Sequence, residues 1–221
     1  TVEKQAFVLE KLPVGRYDVT FSVGKLIASP VTITVRAGEA TRAAFRLEEA
    51  GTLVVPVRDA RGQPIDPVSV ELEAILAEGS GKRAGVLSGR EGMATAEGVA
   101  PGRYVAHARA LGYVVGASAP FDVAKGRTTT VEPIVLRQQA YLRIESMKDE
   151  EGRTPSGVRV DLSVVEGGAA ARPVMTNPTG RLPVTPGSVI LKAVSSDGRS
   201  FERTFEVGDG ETVPVEILLT R

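Results

Sequence analysis

One regularity limits what this 221-residue chain can fold into more than any other: the same glycine-marked turns return about every 85 residues. The first turn reads Leu12-Pro13-Val14-Gly15-Arg16-Tyr17, then Val99-Ala100-Pro101-Gly102-Arg103-Tyr104, then Val184-Thr185-Pro186-Gly187-Ser188-Val189. Gly15, Gly102 and Gly187 stand 87 and 85 residues apart. A second turn follows each in step: Val35-Arg36-Ala37-Gly38-Glu39, Val123-Ala124-Lys125-Gly126-Arg127 and Val207-Gly208-Asp209-Gly210-Glu211. Two markers in register describe a repeated unit, and a repeat decides the architecture before any local reading does.

Between the markers the sequence alternates with a period of two, the signature of a strand with one buried face. Tyr17, Val19, Phe21 and Val23 share one phase, as do Tyr104, Ala106 and Ala108, and Val189, Leu191 and Ala193. Val68, Val70 and Leu72 match Val158, Val160 and Leu162, and Leu53 and Val55 match Leu142 and Ile144. Closing strands carry Phe45 and Leu47, Ile134 and Leu136, and Ile217 and Leu219. Glycines and prolines separate these short runs, and none of them keeps a helical period. The closest approach, residues 71–84, meets Gly79 and Gly81 and reads as a strand followed by a flexible loop.

The predicted fold class is all-β: tandem small antiparallel β-sandwiches, immunoglobulin-like or transthyretin-like, of six or seven strands each. The predicted boundaries are 1–49 for the C-terminal part of a truncated repeat, 50–137 for one complete repeat and 138–221 for another. The strands equivalent to 51–74 are missing from the first copy, which leaves strands at 5–12, 16–23, 30–36 and 41–48. That shortness predicts a chain truncated upstream, or a neighbouring segment that supplies the missing strands. The joints Glu48-Glu49-Ala50 and Arg137-Gln138-Gln139 are short enough to restrict motion between modules.

In the second copy the residues Gly51-Thr52-Leu53-Val54-Val55, Asp59-Ala60-Arg61-Gly62-Gln63-Pro64-Ile65, Val68-Ser69-Val70-Glu71-Leu72, Pro101-Gly102-Arg103-Tyr104 and Leu111-Gly112-Tyr113 form a pattern that resembles the carboxypeptidase regulatory-like family and its transthyretin-like, or prealbumin-like, sandwich. Gly62 and Gly102 are expected to supply turn conformations, with Pro64 and Pro101 fixing φ. The resemblance weakens in the third copy, where Glu151-Gly152-Arg153 and Pro186-Gly187 remain but Val189 replaces the tyrosine. It implies a module of larger, often secreted or envelope-associated bacterial proteins, acting as spacer, stabiliser or interaction surface. By that resemblance alone the expected location is extracytoplasmic: periplasmic, outer-membrane-associated or secreted. The related collagen-adhesin module forms a Lys–Asn crosslink, but strands 53–58 and 142–147 hold no such lysine and the closing strands no asparagine.

Composition excludes several chemistries. The 27 basic and 27 acidic residues balance, which gives no footprint for nucleic acid. Without cysteine there is no disulfide, thiolate metal site or cysteine nucleophile. No apolar run reaches the 18 residues of a membrane helix, so direct membrane insertion is not expected. His107, the single histidine, lies on the outward phase of its strand with Arg103 and Arg109 nearby; one histidine builds neither a zinc site nor a marked triad. Glu78-Gly79-Ser80-Gly81-Lys82-Arg83 fails the phosphate-loop pattern at Leu76 and Arg83 and reads as a flexible inter-strand loop. Ser22-Val23-Gly24-Lys25 spells Ser-x-x-Lys but ends a strand where that motif needs a helix start.

Asp149-Glu150-Glu151, Asp197, Asp209 and Glu211 sit in turns without calcium-loop spacing. Asn177 precedes Pro178 and so is no glycosylation acceptor. Tyr17 and Tyr104 are claimed by the core, which leaves Tyr113 and Tyr141, of which Tyr113 is the better aromatic candidate for contact. The reading is a non-catalytic structural or interaction module with no cofactor, whose partner is another protein or other domains of the same polypeptide. Its candidate contact residues are Tyr113, His107, Arg103 and Arg109. The alternatives are a carbohydrate or small-molecule binding module using loops 76–90 and 165–180, or an accessory domain of an enzyme whose catalytic part lies elsewhere.

Overall fold

The computed structural model of the chain describes residues 8–75, 81–165, 172–174 and 180–221, all of it strand, turn or loop without helix. Internal packing divides it into two compact units. One comprises Thr1–Pro56, Val68–His107 and Ala117–Ile134, and the other Val57–Pro67, Ala108–Gly116 and Val135–Arg221. The all-β fold follows from the alternation: nearly all residues predicted to face inward in the second and third copies are buried, whereas in the first Tyr17, Val19 and Phe21 are half-buried and Val23 is exposed.

The first segment forms β1 (Gly15–Val19), β2 (Ser22–Val23), β3 (Leu26–Ala28), β4 (Val31–Val35) and β5 (Leu47–Glu49). β1 pairs antiparallel with β4, and β2-β3-β5 make a second small sheet. Two sequence expectations need correction here. Residues 8–12 are not a strand, and of 41–48 only Leu47 and Glu48 are, within β5. Residues 5–7 lie outside those described. The reason is pairing: in the complete copies the matching segments hydrogen-bond to an opening strand, and no described residue takes that place here.

The middle copy runs β6 (Gly51–Asp59), β7 (Val68–Ile75), β8 (Gly81–Arg90), β9 (Met93–Val99), β10 (Gly102–Arg109), β11 (Gly116–Ala117), β12 (Phe121–Val123), β13 (Thr128–Thr130) and β14 (Ile134–Leu136). Its strand order is β11-β10-β7-β8-β9-β6-β13, with β12 on β10 and β14 on β6. β8 links the β7 and β9 sides of this sheet. Most of it pairs with β7, and its end, at Gly89 and Arg90, turns to pair with β9. Residues 81–90, read from sequence as loop, are therefore a ten-residue strand. Glycines there hide a strand from propensity, but the β7 ladder supplies its hydrogen bonds.

β6 alternates buried and half-buried along its length, with Leu53, Val55 and Val57 fully buried. A Cβ on Gly51, at its start, would stand 2.7 Å from the Ala124 carbonyl oxygen and from Val123 Cγ1, so this glycine serves close backbone approach. Gly62 has φ +80° in the turn where Asp59 Oδ1 accepts from the Arg61 and Gln63 amides, as expected. Gly102 has no positive φ; it opens β10 in register with Val123, so its expected turn role is corrected to that of a strand end.

The third copy comprises β15 (Ala140–Asp149), β16 (Arg159–Val164), β17 (Arg172–Val174), β18 (Gly180–Val184), β19 (Gly187–Val194), β20 (Ser200–Val207) and β21 (Thr212–Leu219). Sheets β18-β15-β21 and β17-β16-β19-β20 face each other. Leu142, Val160, Leu182, Leu191, Phe205 and Ile217 lie in the one core between them. Of the 165–180 loop expected from sequence, 172–174 and Gly180 are strand. The pairing is not wholly antiparallel either. β13 joins β6, and β21 joins β15, in parallel.

Candidate interaction surface

β10 places its odd-numbered residues outward, since Tyr104, Ala106 and Ala108 take the buried phase. Arg103 and Arg109 are exposed, and His107 is half-buried between them in sequence. His107 Nε2 lies 2.9 Å from Glu73 Oε2 of β7. Arg103 stands opposite Asp122 in the ladder with β12. The outer face of this sheet therefore carries both signs of charge in close pairs, which suits a polar protein contact better than a chemical step. Beneath it, the Tyr104 hydroxyl donates to the Ala100 carbonyl at 2.7 Å, and burial raises the pKa of the phenol. Among the described residues no three His, Cys, Asp or Glu side chains gather as a metal site would need.

Leu111-Gly112-Tyr113 forms a turn that engages a distant segment. Gly112 has φ +80° and turns the chain. Tyr113 is half-buried, and its backbone bridges to Gln138. The Val114 amide donates to the Arg137 carbonyl at 2.9 Å, and the Gln139 amide donates to the Gly112 carbonyl at 2.8 Å. Residues 137–139 are thus the partner of a short edge strand and not a free tether. Arg137 also donates from Nε to Asp209 Oδ1 at 2.7 Å and from Nη1 to the Pro186 carbonyl at 2.9 Å. Gln139 Nε2 donates to the Val184 carbonyl at 2.7 Å. Nothing in the sequence of Arg137-Gln138-Gln139 announces these bonds, whose partners lie 23 to 72 positions away.

The turn carboxylates flagged in the sequence are drawn together by arginines. Arg199, almost fully buried, donates from Nη1 to Asp149 Oδ2 at 2.7 Å and to Glu151 Oε2 at 2.9 Å. Arg153 Nε bonds Asp149 Oδ2 at 3.0 Å, and Asp149 Oδ1 accepts the Glu151 and Arg153 amides. Asp197 pairs with Ser195 Oγ and lies 3.4 Å from Arg199 Nε. Burial pushes the Asp149 carboxyl up, but hydrogen bonds from Arg153 and Arg199 outweigh it and hold the pKa at about 2. The Ser195 hydroxyl, first among its causes, lowers Asp197 too. Sequence reading missed Arg199. The available signal was that Ser195-x-Asp197-Gly198-Arg199 repeats the turn of Asp149-x-x-Gly152-Arg153, each closed by a backbone bond across four residues.

Comparison with known proteins finds a family match in the middle segment. Residues 52–137 match the model of the carboxypeptidase regulatory-like domain, the family the sequence motifs resemble. No curated protein matches the chain. Among solved structures it is similar to a minor pilin of Streptococcus agalactiae at 14% identity, over 76% of this chain and 95% of that one, with a TM-score of 0.43. A streptococcal ancillary pilin matches at 13% identity, over 95% of this chain and 76% of that one, also at 0.43. The shaft pilin SpaA of Lactobacillus rhamnosus GG matches at 12% identity, over 78% of this chain and 98% of that one, with a TM-score of 0.31.

Proposed function

We propose, from a segment 52–137 that matches the carboxypeptidase regulatory-like domain, that this chain is a non-catalytic spacer and protein-interaction array of a larger bacterial envelope or secreted protein. Two complete modules, 50–137 and 138–221, are its working units. The observation that supports the reading is that Arg137-Gln138-Gln139 is hydrogen-bonded along its length within one compact unit, where a free tether would need none of these main-chain and side-chain bonds.

Amide hydrogen exchange tests it. The Val114 and Gln139 amides are expected to exchange about a hundredfold more slowly than exposed loop amides, and Arg137→Ala to speed Gln139 by about tenfold. Exchange at the loop rate in the unaltered chain would overturn the reading of 137–139 as a fixed segment of the array.

Arg103, His107, Arg109 and Tyr113 are the residues we assign to the partner contact. Photo-crosslinking side chains in place of Arg103 and Arg109, in the longer polypeptide, are expected to capture protein. Capture of glycan alone would favour a carbohydrate-binding module instead.

A further inference from the structure

The three copies treat one sheet edge in different ways. β4, β12 and β20 are counterparts there: Ile33 faces Tyr17, Phe121 faces Tyr104 and Phe205 faces Val189 in the ladders with β1, β10 and β19. In the middle copy Pro120 stands where the third has Thr204, and in the first Pro30 stands where the third has Glu202. A proline at an edge removes an amide and cuts the strand short. β4 spans five residues and β12 three, while β20 runs for eight, Ser200–Val207. The second guard is a hydroxyl. Thr41 Oγ1 donates to the Thr34 carbonyl at 2.8 Å, and Thr129 Oγ1 to the Asp122 carbonyl at 3.4 Å, each reaching back seven residues to the counterpart of Glu206. The residue seven beyond Glu206 is Val213, which has nothing to donate.

The unguarded edge can be followed residue by residue. The Ser200 amide and carbonyl both bond Thr220, on the side away from β19, whereas the Ser195 amide donates to the Arg199 carbonyl on the β19 side. Main-chain groups alternate sides along an antiparallel strand, so Glu202, Thr204 and Glu206 turn theirs outward, beyond the last strand of the sheet. Among the described residues none bonds these groups. The side chains of the same three residues are exposed. Glu202 meets Lys192 Nζ at 3.2 Å, and Glu206 pairs with no cation among the described residues. On the other face the exposed Arg203 lies 5.3 Å from the centre of the Phe205 ring.

We propose that β20 is a docking edge for an extended segment of another polypeptide. The segment adds antiparallel, with basic residues four apart opposite Glu202 and Glu206 and apolar residues between them. Charge separates this occupant from a second copy. β20 paired with its own twin about Thr204, the register that uses all three outward residues, sets Glu202 against Glu206 twice, and like charges directly opposite destabilise a strand pair. Main-chain bonds supply the affinity and the alternating side chains the specificity. The apolar residues of the segment come to rest beside Phe205 and the aliphatic stem of Arg203. Arg103, His107 and Arg109 take no part, so this edge and that contact stand or fail separately.

The test titrates the whole chain with the peptide Ser-Lys-Val-Thr-Val-Lys-Ser up to about millimolar and follows amide exchange. At saturation, exchange at Glu202, Thr204 and Glu206 is expected to slow by about tenfold or more. A peptide with glutamate for both lysines should give no protection, and neither should one methylated at the main-chain nitrogens of its lysines and threonine. Thr204→Pro and Val213→Thr each restore a guard that the other copies possess. The first should abolish protection and the second should weaken it, with exchange in 140–149 unchanged in both. No protection by the lysine peptide, or equal protection by either control, would overturn the proposal. So would concentration-dependent self-association that protects these amides without peptide, since the occupant would then be a second copy.

Discussion

Replacing Leu142 by alanine is expected to destabilise the third module by about 3 kcal/mol, within the 2–5 kcal/mol range for emptying a packed leucine site. Leu142 is fully buried on β15, the middle strand of its sheet, opposite Leu182 in β18 and beside Val213 in β21. Ladders on both sides fix the backbone at this point, so it cannot collapse into the cavity left behind. Small domains hold about 5–15 kcal/mol in all, so the variant sits close to unfolding. Urea unfolding followed by exchange of amides in 140–219 measures the loss. A change below about 1 kcal/mol would mean that the two sheets do not close over this side chain.

Arg199→Ala should be the most damaging surface-to-core charge change in the chain. Its guanidinium is the hub for Asp149, Glu151 and Asp197, and it is itself buried. Removing it strips donors from the Asp149 carboxylate, which is no more exposed, and a buried charge left without its partner is costly. A melting temperature lower by about 10 °C is expected for this module. Arg199→Lys should recover only part of it, because an ammonium cannot serve several carboxylates in a planar fork.

The same cluster sets an acid limit. Asp149 titrates at about 2 in the folded chain, below its ordinary value of 3.8. A depressed carboxyl pKa stabilises the fold fully above the unfolded value, and that contribution disappears as pH falls from about 4 through 2. Asp149→Asn should remove this pH dependence while lowering stability near neutrality. Equal acid sensitivity in the variant and the parent would show that other carboxylates set the limit.

These two sites separate what was legible in the sequence from what was not. Leu142 announced itself, since its phase with Ile144 and its match to Leu53 and Val55 place it on an inward face without any coordinates. Arg199 did not. Its partners are 48 and 50 positions away, and only its neighbour Asp197 is local. The contact candidates behaved in both ways: the outward phase of Arg103, His107 and Arg109 was readable along β10, whereas the pairing of His107 with Glu73, 34 residues distant, was not. Tyr113 could be named from the Leu-Gly-Tyr string, but its backbone engagement with Gln138 could not.

The sequence by itself determined the all-β class, the period of the repeat and the buried phase of each main strand, because strand geometry alternates residue by residue and writes burial locally. Tertiary structure alone decided which stretches became strands at all. Residues 81–90, rich in glycine, pair because β7 and β9 offer ladders, while residues 8–12, with Val8, Leu9 and Leu12 among them, form no strand. A strand's hydrogen bonds belong to its partner, and a partner tens of residues away leaves no mark on the local pattern.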